Sequence, residues 1–507
     1  MPASGEKIHC VYLYADTDRE WNTSNWRCHL LSNAINYRND KDPKRFPHTA
    51  RMIQMQSAMD FHHPAIQRAL GEADILVFQR NVIDEVVYDA MDYWRALGKI
   101  VLVDLDDHYP GIPPSNPAFP YWIQNVGELD PPPVERLKKG LEHADALISP
   151  NQLILKDWEK VVPGYFWPNY PAQKDYENLP RKEYGAPDYL FTYINKGIED
   201  KQELVAAERP NSAGQIVISW GGSISHVDSF VYSGVLDGLA RLMEEDERVV
   251  FRFCGNENRL DFLLAKLPEG RVIRQGGVSP YDWPKVVATA DIGIAPMDMR
   301  PVTSHTETEN EGYSYDERRS WLKLVEYVCA GVPFVATDCF PYQEFRSKGK
   351  LIENGADNWY NALKAQVGSL YNLKQIAKKN RTWAMKRYTQ EANAEKLIKL
   401  YIRIGEETQA RRGLRMPDVL YVGEVAKDYK TPDGFDEQIA NLPPLEDGGD
   451  PLGAGHQAPW HGEVSRIAQH WADEFNLDYM GIPLDRTIEY SVLSRLNQAY
   501  SEAHDSD

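Results

Sequence analysis

The chain has 507 residues, 42% of them hydrophobic, and 56 basic against 75 acidic side chains give a formal net charge of −19. That length exceeds one ordinary domain and can bury two or more cores, while the acidity disfavours phosphate backbones and anionic membrane surfaces as partners. Five scattered cysteines without a CxxC pair suggest neither a disulfide framework nor a thiolate zinc site. No stretch reaches the roughly 18 apolar residues of a membrane span and the N-terminus lacks an apolar signal core, so a soluble, cytoplasmic protein is expected.

In chain order, Lys7 to Tyr14 is an apolar run that predicts a strand, followed by the aromatic loop Trp21 to Arg27 and a helix over Cys28 to Asn36. Strands follow at Ala73 to Gln79, Lys99 to Asp104 and Asp145 to Ser149, with helices near Asp84 to Leu97 and Val134 to His143. Short buried strands alternating with helices predict a parallel-sheet α/β domain over residues 1–205. The polar stretch Glu208 to Gly214 separates a second run of the same type, 206–375, with strands at Gln215 to Trp220, Val249 to Cys254, Arg271 to Gln275 and Ile292 to Ala295. Ser314 and Glu317 have the spacing of a capping box, so a helix is expected to Ala330, ended by Gly331 and followed by a strand opened by Pro333. Residues Tyr360 to Tyr401 read as helix, and 376–412 as a helical crossover back to the first domain. Met416 to Asp507 holds 18 acidic and five basic residues, which is 13 of the 19 excess negative charges. Within the tail 413–507, Leu442 to His456 reads as a flexible linker and the segments around Trp471 and Val492 as amphipathic helices able to dimerise or recruit a partner.

In open parallel sheets ligands sit off the carboxyl ends of the strands, so motifs there rank first. Ser219 to Phe230, SWGGSISHVDSF, runs from a strand through Gly221, Gly222 and Ser223 towards a helix, a pattern that suits a diphosphate, with Ser223 and His226 as donors. Arg319, Lys323 and Glu326, at i, i+4 and i+7, share one helical face that suits phosphates and a sugar hydroxyl; helical ion pairs on a solvated face are the other reading. Asp104, Asp106, Asp107 and His108 end a first-domain strand, and Asp104-Leu105-Asp106 has the DxD spacing of metal-dependent sugar-nucleotide sites, but acids there also cap helices. Trp26, Arg27 and Arg80 stand in first-domain loops, on the side where an acceptor would lie. No Walker loop, nucleophile elbow, HExxH or GxGxxG is present.

The segments ADILVFQRN, DLDDHYPGIPPSNP, ISWGGSISH, ADIGIAPM and RRSWLKLVEYVCAGVPFVATD resemble, in order over about residues 5–400, a retaining glycosyltransferase of the two-Rossmann-domain type (GT-B), similar to family 4. The resemblance implies a nucleoside diphosphate sugar donor, an acceptor glycan, protein or small molecule, and no permanently bound cofactor. It also implies Glu326 on the ribose hydroxyls, Gly221, Gly222, Ser223, His226 and Ser320 along the donor, and Arg319 and Lys323 on the leaving diphosphate. Such transferases generally stabilise that diphosphate with cations and helix dipoles, which demotes DxD as a metal site. Asp107 or His108 is expected to orient or deprotonate the acceptor, with Trp26, Arg27, Arg80 and Asp106 on the acceptor side. Two departures stand out. Arg318 occupies the position eight residues before Glu326 where the family places an acid, and SISHVDS replaces its usual Arg and Lys pair. A nucleotide-sugar epimerase of the same architecture and a non-catalytic sugar-nucleotide or glycan-binding protein are the alternatives.

Overall fold

The computed structural model describes residues 7–20, 22–195, 202–222, 224–255, 261–301 and 313–412. Trp21, Ser223 and the tail 413–507 with its expected linker and helices lie outside the described residues. Strands β1 (His9–Tyr14), β2 (Thr49–Gln54), β3 (Ile75–Gln79), β4 (Ile100–Asp104), β5 (Ala146–Ser149) and β6 (Gly164–Phe166) form one sheet in the order β2-β1-β3-β4-β5-β6. An antiparallel pair, β7 (Tyr189–Asn195) and β8 (Gln202–Glu208), precedes the second sheet. That sheet contains β9 (Ile216–Gly221), β10 (Val249–Cys254), β11 (Val272–Gln275), β12 (Ile292–Ala295), β13 (Phe334–Thr337) and β14 (Lys350–Ile352), in the order β11-β10-β9-β12-β13-β14. Its pairings are all parallel.

The fold is therefore α/β with two tandem, Rossmann-like six-stranded sheets and a helical C-terminal extension. Strands β3, β4, β9, β10, β12 and β13 are buried at every position, the burial of parallel strands covered by helices on both faces, which is why they read as unbroken apolar runs. The second sheet has the strand order of dinucleotide-binding folds, its direction reversing between β9 and β12 and leaving a crevice beyond their carboxyl ends. Strands β2, β6 and β14 and the antiparallel pair escape the sequence pattern. Two of them are only three residues long, and TARMIQ of β2 alternates with polar residues.

The chain packs as two compact units. One falls within Met1–Asp104, Gly140–Ala146 and Ile398–Asp507, the other within Leu105–Lys139 and Leu147–Leu397. The first holds the end of the last helix, Gln390–Arg412, where the Tyr401 and Tyr12 hydroxyls meet at 2.9 Å and Arg412 pairs with Asp145.

Two local expectations are corrected. The stretch 22–27 is not a loop: Asn22–Ser24 is helical and Asn25–His29 forms a π-type turn leading into the helix Leu30–Lys41. Ser24, bonded to Asp16 and Gln79, and Arg27, bonded to Asp104, hold those turns in place. The expected capping box does not form either. Ser314 donates to the Asp298 carbonyl, Asp316–Arg318 is a 3-10 turn, and the helix begins only at Leu322. The Asp316 carboxylate takes bonds from Asp298 N (2.6 Å), Ser229 Oγ (2.7 Å) and Arg319 Nε (2.8 Å), and Asn151 Nδ2 ties the carbonyls of Glu317 and Arg319. These tertiary bonds outweigh a cap worth about 1 kcal/mol. The helix does end at Gly331, whose φ of +75° is a left-handed conformation open to glycine at no steric cost.

Candidate functional site

The site grows from the crevice between β9 and β12, within the second unit. Strand β9 ends at Gly221, and the chain turns through Gly222 into the short helical segment Ile224–His226. A Cβ on Gly221 would lie 2.1 Å from the Trp283 ring, and one on Gly222 would lie 2.6 Å from the Trp220 ring. The glycines are thus required by two indoles that floor the turn, a packing reason separate from any approach of a ligand. The Gly222 N–H is bonded to the Cys254 carbonyl at 3.2 Å.

Facing this turn is the helix Leu322–Ala330. Its Lys323 Nζ donates to the Gly221 carbonyl and lies 5.2 Å from the Trp220 ring. One turn on, Glu326 is buried and accepts a hydrogen bond from Trp283. Burial raises the Glu326 carboxyl above its ordinary value, against the Trp283 bond and Lys323. Burial likewise lowers the Lys323 ammonium, aided by Arg319 and opposed by Glu326 and Asp316.

Arg319 is not on this helix. It stands in extended backbone just before it, and its guanidinium spans the crevice: Nε to Asp316 Oδ1 (2.8 Å), Nη1 to His226 Nε2 (3.2 Å) and Nη2 to the Ser225 carbonyl (2.8 Å). Burial pulls its pKa down, but Tyr315, Asp316 and Asp107 outweigh that and hold it above the usual arginine value, so it stays charged. An arginine can only donate, so the His226 Nε2 accepts and the proton is assigned to Nδ1. That Nδ1 is buried and has no partner among the described residues, and the indole N–H of Trp220 is in the same position. Burial, with Arg319 and Lys323, keeps His226 neutral. The crevice therefore brings two held cations together, with the neutral His226 ring against Arg319, an arrangement that suits an oxygen-rich anion.

The other predicted residues divide. Asp107 joins the cluster, 3.5 Å from the Tyr315 hydroxyl, whose ring lies 5.1 Å from the Arg319 guanidinium. Ser320 is a turn former: its Oγ accepts from Asn169 Nδ2 at 3.2 Å and from Leu322 N at 3.4 Å. His108 is buried beside Tyr313, Nε2 to hydroxyl 2.6 Å, and its Nδ1 is 3.0 Å from Asp157 though poorly aligned for a hydrogen bond. Burial lowers the His108 pKa more than Asp157 raises it. Arg318 forms a two-pronged pair with Asp157, at 2.6 and 2.8 Å, and its guanidinium lies 3.8 Å from the Tyr313 ring. The arginine eight residues before Glu326 is thus already paired within the chain. Asp106 is half-buried.

In the first unit, Arg27 and Asp104 form a pair with 0% and 1% side-chain exposure, so neither presents itself to a ligand, and Asp104 is engaged as a counter-ion within its DxD sequence. Arg80 pairs with Asp16 and reaches Thr23, and Trp26 is half-buried. Trp283, Asp316 and Asp157 are the functional-looking residues that sequence reasoning missed. Asp316 stood beside a quoted motif, whereas Trp283 and Asp157 carry no local signal.

No protein-family profile matches the chain, and no curated protein matches it in sequence. Among solved structures it is similar to Anabaena HepE in complex with UDP-glucose, at 12% identity over 80% of this chain and 99% of that one, TM-score 0.45. It is similar to the sucrose-phosphate synthase of Thermosynechococcus elongatus at 14% identity, 78% and 99% coverage and TM-score 0.47. A putative UDP-N-acetylglucosamine 2-epimerase from Listeria monocytogenes gives 12% identity, 82% and 100% coverage and TM-score 0.43. All three scores lie below 0.5, and the architecture above rests on the strand orders.

Proposed function

We propose that this chain is a GT-B glycosyltransferase that moves a sugar, with retention, from a nucleoside diphosphate sugar to an acceptor hydroxyl. The observation that carries the reading is the convergence of Arg319 and Lys323 on the turn Gly221 to His226 at the crevice beyond β9 and β12. As the glycosidic bond breaks, negative charge gathers on the departing diphosphate, and cations already fixed there favour the transition state over the ground state. Arg319 retains two uncommitted N–H groups among the described residues and chelates two oxygens, and Lys323 acts as a point charge. Glu326 accepts from the ribose hydroxyls. Asp107, beside Tyr315, orients the acceptor hydroxyl.

A thermal-shift screen of UDP-, GDP-, ADP- and dTDP-sugars tests this directly. At 100 times its dissociation constant a true donor adds about 2.7 kcal/mol of stability by mass action. We expect one nucleotide series to stabilise the protein and Lys323→Ala to remove the effect; no shift with any series sinks the reading. Isomerised donor formed without acceptor would mark an epimerase instead.

Donor binding should follow a bell in pH. Glu326, raised by burial, becomes the accepting carboxylate only as pH rises through its pKa, so affinity climbs there. Lys323, lowered by burial, loses its charge as pH rises further, so affinity falls again. The two limbs report the pair rather than either group alone. Calorimetry against pH should show Glu326→Gln flattening the acid limb and Lys323→Arg the alkaline limb; a profile flat between pH 5 and 10 contradicts the assignment.

A further inference from the structure

Trp321, just before the helix Leu322–Ala330, lines a cleft of about 560 Å³ in the second unit, within the range of small-molecule sites. Its walls come from the ends of β5 and β6, from the turn Phe340–Phe345 and from the start of the last helix. Five aromatic rings line it, those of Phe166, Tyr170, Trp321, Phe340 and Tyr388, and no Leu, Ile, Val or Met does. The remaining lining is two prolines and planar or charged polar groups. Trp321 is fixed as the floor: its indole N–H donates to the Asn169 carbonyl at 3.0 Å, and its ring stands edge-on to Phe166, Phe345 and Tyr388 at 6.0, 5.5 and 5.9 Å. Tyr388 donates to Glu344 Oε1, leaving Oε2 for another donor, while Gln152 and Arg387 are exposed at the rim.

That lining discriminates among ligands. An apolar ligand would be met by aliphatic side chains, which are absent, and a polyanion by more than the cations Arg387 and Lys396, which Glu344 partly offsets. Rings that stack on C–H faces, joined to planar groups that bond hydroxyls in pairs, match a saccharide. We propose that this cleft is a carbohydrate-binding site distinct from the anion site of Arg319 and Lys323, and the inference does not depend on the donor reading. Trp321 is two residues from each of those cations, so a saccharide held here abuts the segment that carries them.

The test uses the full chain with maltotriose, cellotriose, mannotriose, chitotriose and lactose, read by saturation-transfer NMR and calorimetry. Binding of at least one is expected, weakened about five- to tenfold by Phe340→Ala and by Arg387→Ala. Both are exposed rim residues whose loss leaves the core intact. Lys323→Ala and saturating UDP should leave it unchanged. No binding at millimolar sugar, binding indifferent to both rim variants, or displacement by UDP overturns the proposal.

Discussion

Replacing Lys323 with alanine should lower kcat by about 10² to 10³, the cost of removing one preorganised charge from a developing oxyanion. The Michaelis constant for the donor should rise as well, since the same charge meets the diphosphate in the ground state, but kcat carries a loss of its own because the charge matters most once the diphosphate holds the bonding electrons. Lys323→Arg should recover part of the rate, since the cation is kept but the single point contact with Gly221 and the seat near Trp220 suit an ammonium. Arg319→Ala should give a loss of the same order, and the double variant much less than the product, because both groups act on one leaving group. Steady-state kinetics with circular dichroism as a folding control measures this. A Lys323→Ala enzyme within about threefold of the parent in kcat, a difference under ~1 kcal/mol, would remove the leaving-group role.

The second large effect concerns stability. Asp104→Ala should destabilise the first unit by about 3–5 kcal/mol, because it strands the Arg27 guanidinium in the core with no counter-ion. Arg27 and Asp104 meet through two bonds, at 2.7 and 2.8 Å, and are 0% and 1% exposed. The joint change Arg27→Met with Asp104→Leu should recover most of that loss, since removing both charges together avoids the unpaired one. Chemical unfolding followed by hydrogen exchange in β1 and β4 separates this unit from the other. If Asp104→Ala left exchange in those strands unaltered and instead made activity sensitive to divalent cations, the DxD reading would regain its place over the ion pair.

The strong elements of the fold are legible because their physics is local. Strands β10 and β12 match the apolar runs residue for residue, and Gly331 ends its helix where a left-handed residue is needed. What failed was also local in origin. The capping box at Ser314 and Glu317 is a sound pattern, yet Asp316 had three partners brought from Ser229, Asp298 and Arg319, and their sum exceeds a cap. Periodicity placed Arg319 on a helical face with Lys323 and Glu326. The three do come together, but Arg319 arrives from extended backbone, so the grouping was found for a partly mistaken reason.

By itself, then, the sequence determined the two α/β sheets and the pairing of a glycine turn with a Lys and Glu helix. Burial and backbone propensity act over a few residues and are written in neighbouring letters. Only the tertiary structure decided which charges remain available. Arg27, Arg318 and Asp104 look as functional in the sequence as Arg319 does, and each is tied to a partner 77 or 161 residues away, whereas Arg319, paired with Asp316 three residues back, is carried to the turn that Lys323 also contacts. Long-range pairing leaves no trace in spacing, so which charges gather at one crevice is decided by the fold.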